Sequence, residues 1–326
     1  MVKLSVLDLA YIGEGFTSAH ALANALDLAQ HSEAAGFERF WLAEHHNLAG
    51  IASAATAVCI CHVASGTKTI RVGAGGIMLP NHSPMVIAEQ FGTLATIFPD
   101  RIDLGLGRAP GTDQHTLVAL RRGPGAAEYF PQDVVELQAL LGPPQANQAI
   151  HAIPGENTNV PLWILGSSLY GARVAARLGL PYAFASHFAP EALMQAITTY
   201  REWFEPSDQL DEPYVMVGCS AVVADSDEEA KRLFTTPQQQ FARMVRGIRG
   251  QLPPPVDDIE NFWSPVEKVQ ASSMLACSFC GSKETIKAKL KPLIEETGAD
   301  ELMVAAAIWD HEARVRSFEL LAEAMR

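Results

Sequence analysis

The chain has 326 residues, 48% of them apolar, and a formal net charge of −13. It is long enough to bury a sizeable core without staples, as one large α/β domain or two smaller ones. The acidic balance argues against nucleic acid or an anionic membrane as partner, and no basic segment followed by an apolar run opens the chain, so the expected location is the cytoplasm.

Lys3–Leu9 reads as a first strand, with Asp8 at its C-terminal end. Ser18 begins a helix that runs to Ala35 and stops at Gly36. Phe37–Ala43 is the second strand and runs out into Glu44, His45 and His46. Ile51–Ser65 reads as a helix without Lys, Arg, Asp or Glu, whereas a surface helix normally carries a charged side. Ala52, Ala54, Ala55 and Ala57 would let a neighbour approach closely. This helix is therefore expected to be buried on two faces, the second against another copy of the chain. Ile70, Val72 and Ala74 mark a third strand that continues into Gly75 and Gly76. Glycine weakens a strand unless the backbone must bend or let something approach closely. The glycine pair predicts a flat surface at the strand's C-terminal end, with a plain bulge as the alternative. Pro84 suits the first turn of a helix that runs to Phe98. Arg101–Gly107 is the fourth strand, leaving through Arg108-Ala-Pro-Gly111-Thr-Asp113.

Residues 109–127 read as a long loop with a short helix near Gln114–Arg121, followed by a helix over Gln132–Leu141 and a Pro-, Gly- and Asn-rich loop over Gly142–Asn159. Pro161–Leu165 is the fifth strand, ending in Gly166-Ser167-Ser168, and the next helix is Ala172–Leu178. Tyr182–Ala185, ending in Ser186-His187-Phe188, is the sixth, with a helix over Pro190–Phe204. Tyr214–Ala224 is the seventh, and Asp227–Phe234 begins a helix. Residues 235–276, with Pro253-Pro-Pro255 and Phe262-Trp263, break the rhythm and read as an insertion within a single domain spanning 1–326. Cys277-Ser-Phe-Cys280 reads as a loop entering a helix over Ser282–Thr297. A structural zinc site would need a second close pair, and Cys59 and Cys61 lie on the helix expected to be buried. Five cysteines outside any small secreted framework fit a reducing compartment. Glu301–Ile308 is the last strand and Glu312–Met325 the closing helix. Eight strands alternating with helices predict an α/β fold of the (β/α)8 TIM-barrel type, with a doubly wound open sheet as the alternative.

Polar groups gather at strand ends: Asp8, Glu44 to His46, Asn81 to Ser83, Arg108, Ser167 with Ser168, and His187. A barrel places all of them round one mouth, where ligands bind. His45 and His46 are adjacent, and adjacent side chains of a strand point to opposite faces, so only one can face that mouth. No metal is expected, although a mixed site with Glu44 is conceivable. For His45 the choice is between proton handling or ligand contact and a hydrogen-bonded strand-end histidine. Arg108 could pair with a phosphate or form a salt bridge with Asp103 or Asp113. Ser167 and Ser168 open onto a helix, which suits either an anion site or simple capping. Gly105-Leu-Gly107-Arg-Ala-Pro-Gly111 is not a dinucleotide fingerprint, because proline holds the sixth position and a loop follows.

Four ordered stretches resemble the bacterial luciferase-like flavin monooxygenases, in particular their uncharacterised oxidoreductase branch. These are Trp41-Leu-Ala-Glu44-His45-His46-Asn47, the third-strand GAGGIMLPNHSP, Arg101-Ile-Asp-Leu-Gly-Leu-Gly107-Arg108-Ala-Pro-Gly-Thr-Asp113, and Pro161-Leu-Trp-Ile-Leu-Gly-Ser-Ser168 with Gly179-Leu-Pro-Tyr-Ala-Phe-Ala-Ser-His187-Phe. The resemblance implies a TIM barrel with FMN at the C-terminal mouth, reduced flavin supplied by a separate reductase, and oxygen transfer from O2 to a small organic substrate. It assigns Gly75 and Gly76, joined by a non-prolyl cis peptide in relatives, to the isoalloxazine. Glu44 and His45 become the catalytic pair, and Arg108, Ser168 and Gly171 the phosphate side. Asp8, Gly166, Ser167 and His187 complete the expected cofactor site. Gly107 and Ser167 stand where the light-emitting enzyme has a cysteine and a glutamate, which argues against its aldehyde specificity. A homodimer is implied. The rivals are an F420-dependent hydride transferase of the same fold, whose acidic-tailed cofactor would want more cationic groups, a non-catalytic flavin-binding protein, and a metal-dependent barrel hydrolase.

Overall fold

The computed structural model describes residues 2–109, 113–123 and 125–326. Pro110, Gly111 and Thr112, in the expected exit of the fourth strand, lie outside them. The strands are β1 (Lys3–Asp8), β2 (Arg39–Leu42), β3 (Arg71–Met78), β4 (Ile102–Gly107), β5 (Leu162–Gly166), β6 (Tyr182–Phe184), β7 (Val215–Val223), β8 (Ser278–Gly281) and β9 (Glu301–Ala305). They pair in the order β6-β5-β4-β3-β2-β1-β9-β7-β8, and an additional β6–β7 pairing closes eight of them into a parallel barrel. That closure excludes the open sheet.

The helices are α1 (Ser18–Ala35), α2 (Thr56–Gly66), α3 (Pro84–Ile97), α4 (Gln114–Ala119), α5 (Phe130–Leu141), α6 (Leu169–Arg177), α7 (Leu193–Glu202), α8 (Asp227–Val245), α9 (Pro265–Met274), α10 (Lys283–Thr297) and α11 (His311–Met325). None is long and apolar enough to cross a membrane among the described residues.

Three segments differ from the sequence expectation. Ser278–Gly281 is a strand, not a loop. β7 outruns β9, whose register with it ends at Ser220, and β8 pairs with the tail from Ser220 to Val223, satisfying backbone groups left over there. Helix α8 continues past Phe234, through Pro237, to Val245. Its buried stripe goes on through Ala242, which packs with Trp263 and with Ala271 of α9. Thr236 and Gln239 donate to the carbonyls of Pro253 and Pro254 and tie down the proline run. Helix α2 begins at Thr56, not Ile51. Ile51 instead bridges to Tyr11, and Ser53 Oγ donates to the carbonyls of Leu9 and Ala43, stitching together the exits of β1 and β2.

The barrel interior is layered along its axis. At the N-terminal end Arg39 lies between Asp103 (2.8 Å) and Glu301 (3.0 Å). Arg71 and Trp41 Nε1 also donate to Asp103, and Tyr214 and Ser5 donate to Glu301. Two buried acids and two guanidiniums balance in charge and bond directly to one another, which a buried ionic cluster requires. Above it Leu7, Trp41, Trp163, Met216 and Met303 form an apolar layer. Trp163 carries the Arg39 guanidinium on one side, 4.8 Å from the ring centroid, and meets Trp41 edge-on at 5.2 Å. Towards the C-terminal end most inward positions are small, Ala43, Gly75, Gly105, Gly218 and Ala305, with Leu9 and Leu165 packed beside them. The barrel is therefore plugged below and left open by small residues at its mouth.

Candidate active site

β3 carries the feature that shapes the mouth. Its register with β4 shifts between Ala74 and Ile77, and Gly75–Gly76 lies in that irregularity as a non-prolyl cis peptide. A Cβ on Gly75 would fall 2.6 Å from Leu7 Cδ1, and one on Gly76 would fall 2.6 Å from the Gly105 carbonyl oxygen. The second contact is with backbone and cannot be relieved by a rotamer change. Glycine is required here by packing, and it leaves bare peptide facing the lumen.

Past the end of β2 at Leu42, the Glu44 and His46 side chains bond to each other and so share a face. Ala43 belongs to the interior layer, so His45 is the next inward position. Its Nδ1 is buried without a hydrogen-bond partner among the described residues. Burial pushes its pKa down, the nearby Glu44 opposes that, and His46 reinforces it. His187, beyond β6, packs its Nδ1 where a Cβ on Gly218 would lie, 2.5 Å away, and that nitrogen also has no hydrogen-bond partner among the described residues. Burial and the proximity of His45 push His187 down to about 4. The mouth thus holds two imidazoles that stay neutral near pH 7.

Glu44 and His46 share the opposite face. The Glu44 carboxylate is buried and accepts hydrogen bonds from His46 Nε2 (2.6 Å), His82 Nε2 (2.8 Å) and the Met78 N–H (3.1 Å). Burial opposes its ionisation, but the bonds from His82, His46 and Met78 outweigh that and hold its pKa below the ordinary value. Glu44 therefore supports the end of β3 and does not hydrogen-bond His45. His46 points away from the mouth, as alternation requires. His82 is the partner that sequence reasoning missed. It lies in the Asn81-His82-Ser83 turn after β3, and only the β2–β3 pairing brings that turn to Glu44.

The other end of the mouth lies at β4 and β5. Ser167 and Ser168 are exposed. Ser168 is the N-cap of α6, yet its side chain makes no capping hydrogen bond, so its hydroxyl remains available alongside the free N–H groups of the first turn. Gly166 and Gly171 pack together, a Cβ on one falling 3.6 Å from the Cα of the other. Arg108, exposed at the exit of β4, stacks its guanidinium on Tyr170 in that turn, 4.1 Å from the ring centroid. Neither expected salt bridge forms: Asp103 is taken by Arg39 and Arg71, and Asp113 pairs with Arg249 at 3.3 Å. Asp8 does not join this group. It sits on the outer face of β1 beside Leu42, accepting from the Ala10 N–H (2.9 Å) and from Arg314 of α11.

Residues 2–301 match the luciferase-like monooxygenase family. The chain belongs to that family. A luciferase-like monooxygenase of Escherichia coli (strain K12) is 51% identical over 320 residues, covering 98% of this chain and 96% of that protein. The crystal structure of apo-MsnO8 superimposes with a TM-score of 0.93 at 35% identity, covering 100% of this chain and 98% of that one. The fold alone is shared more widely. The oxygenating constituent of 3,6-diketocamphane monooxygenase from Pseudomonas putida, solved in complex with FMN, has a TM-score of 0.72 at 16% identity and covers 99% of this chain and 97% of that one. An F420-dependent secondary alcohol dehydrogenase has 0.71 at 15%, covering 100% and 99%.

Proposed function

We propose that this chain is an FMN-dependent monooxygenase that uses reduced flavin, delivered by a separate reductase, and O2 to oxygenate a small organic substrate. The observation that carries the flavin reading is the meeting of Arg108, Tyr170, Ser167 and Ser168 at the start of α6. An exposed guanidinium with no acidic partner among the described residues, two exposed serines and free helix N–H groups suit a single phosphomonoester. Gly75 and Gly76 would take the isoalloxazine, and Gly166, Gly171 and His187 would line the rest of the cofactor's path. The bound flavin would supply the oxygen chemistry, which no side chain can perform.

The chain's own contribution is a dry mouth and a proton. His45, inward and neutral near pH 7, is the group that would hold or move a proton at Nε2, its Nδ1 being buried without a partner among the described residues. Glu44 acts at one remove by holding the Met78 backbone behind the glycine pair. F420 chemistry is the second reading. Its acidic tail would want more cations than the single Arg108 at this helix start. A homodimer through α2 and α3 accompanies the proposal, since Val58, Val86 and Ile97 stand 69%, 45% and 55% exposed on these adjoining helices, and a cytoplasmic location fits the family reading. Absorbance titration with FMN and with F420, followed by O2 consumption after reduction, tests the assignment. FMN binding with oxygen uptake is the expected result; F420 binding without FMN binding would replace it with hydride transfer.

A further inference from the structure

We propose that Glu44, His46 and His82 form a binding site for a divalent ion of the zinc class, behind the mouth and separate from His45. Three ligand atoms from two chain segments, the exit of β2 and the turn after β3, converge there. Glu44 Oε1 lies 2.6 Å from His46 Nε2 and 2.8 Å from His82 Nε2, and all three lie within 4.8 Å of one another. The carboxylate is fixed, because Oε2 accepts the Met78 N–H at 3.1 Å, and Oε1 is thus the pivot for both imidazoles. The Glu44 side chain is 1% exposed, and among the described residues no lysine or arginine pairs with it. A buried carboxylate without a permanent cation is costly, and an ion would supply the missing charge.

The donor set selects the ion. Two imidazole nitrogens and one carboxylate oxygen suit zinc with a fourth position open to water, whereas magnesium and calcium take oxygen ligands. Zinc bonds of about 2.0–2.2 Å place neighbouring ligand atoms of a tetrahedron about 3.3 Å apart. On that basis each imidazole would need to draw back from Glu44 Oε1 by about 0.5–0.7 Å to admit the ion. The histidines are the parts able to move, at 17% and 26% side-chain exposure, and they leave a route from solvent. Adjacent on the chain, His45 and His46 cannot both face one ion; this set omits His45 and draws on His82 instead.

The test uses chelator-treated, flavin-free protein, so that it does not depend on the cofactor reading. Zinc is titrated by calorimetry, and cobalt is added as a visible-absorption reporter of coordination. One zinc per chain is expected, with cobalt bands of a four- or five-coordinate site. Loss of a supporting group around a metal typically costs 10- to 100-fold in affinity, so losing a ligand in Glu44→Gln or His82→Gln should weaken binding at least about 100-fold. His45→Gln should bind zinc as the parent does. Circular dichroism melts check each variant. Should Glu44→Gln fail to fold, the more exposed His82→Gln carries the test. Absence of a stoichiometric site, or zinc binding undiminished in His82→Gln, would overturn the proposal and leave a cluster held by hydrogen bonds alone.

Discussion

Acidification should cost this protein stability through His187. Its imidazole is pushed down to about 4 in the folded chain by burial and by His45, against about 6.5 in an unfolded one. Between those values the unfolded state binds the extra proton, so stability rises with pH across the window and falls as pH drops through 6.5. The loss accumulates on acidification and levels off below the folded value. From pH 7 to pH 5 this single group should remove about 2 kcal/mol. Urea denaturation at both pH values isolates it when the parent is compared with His187→Gln, which keeps a polar side chain of similar size but cannot titrate. The parent should lose about 2 kcal/mol more than the variant on acidification. Equal losses would mean that His187 is protonated as easily in the folded chain as in the unfolded one, and its packing against Gly218 would not isolate it from water.

Gly76→Ala places a methyl group 2.6 Å from the Gly105 carbonyl oxygen and should destabilise by about 1–3 kcal/mol in the same assay; an unchanged midpoint would mean that β3 and β4 can part freely. Ser168→Glu, which sets a carboxylate at the start of α6, should weaken FMN binding clearly in a fluorescence titration, and unchanged affinity would move the phosphate elsewhere. His45→Ala should retain FMN and slow turnover by about 10²-fold, with stopped-flow reoxidation coupled to product at the parent rate as the result against it. Light scattering at micromolar concentration should give a dimer, and Val58→Glu, on the open face of α2, should give monomers; a monomeric parent would defeat the interface.

The linear sequence determined what depends on neighbouring residues. Alternation and turn chemistry located the barrel strands within a few residues, and the same alternation put His45 and His46 on opposite faces. It also implies that Glu44 and His46 share a face, although nothing local shows that His82 joins them. Motifs marked Arg108 and Ser168 as polar groups at strand ends but left open whether the first was a salt bridge and the second a cap. Only the tertiary structure decided those points. Closure of β6 onto β7 sets which strands are neighbours, and with it which charges meet. Arg39 and Arg71 reach Asp103, which leaves Arg108 to stack on Tyr170. Asp8 lies at a strand end like the others, yet it faces α11, because one residue of register exchanges the inner face of a strand for the outer. Periodicity reports which side of an element is buried; the partner it is buried against comes from chain segments far apart in sequence, and those are fixed only when the barrel closes.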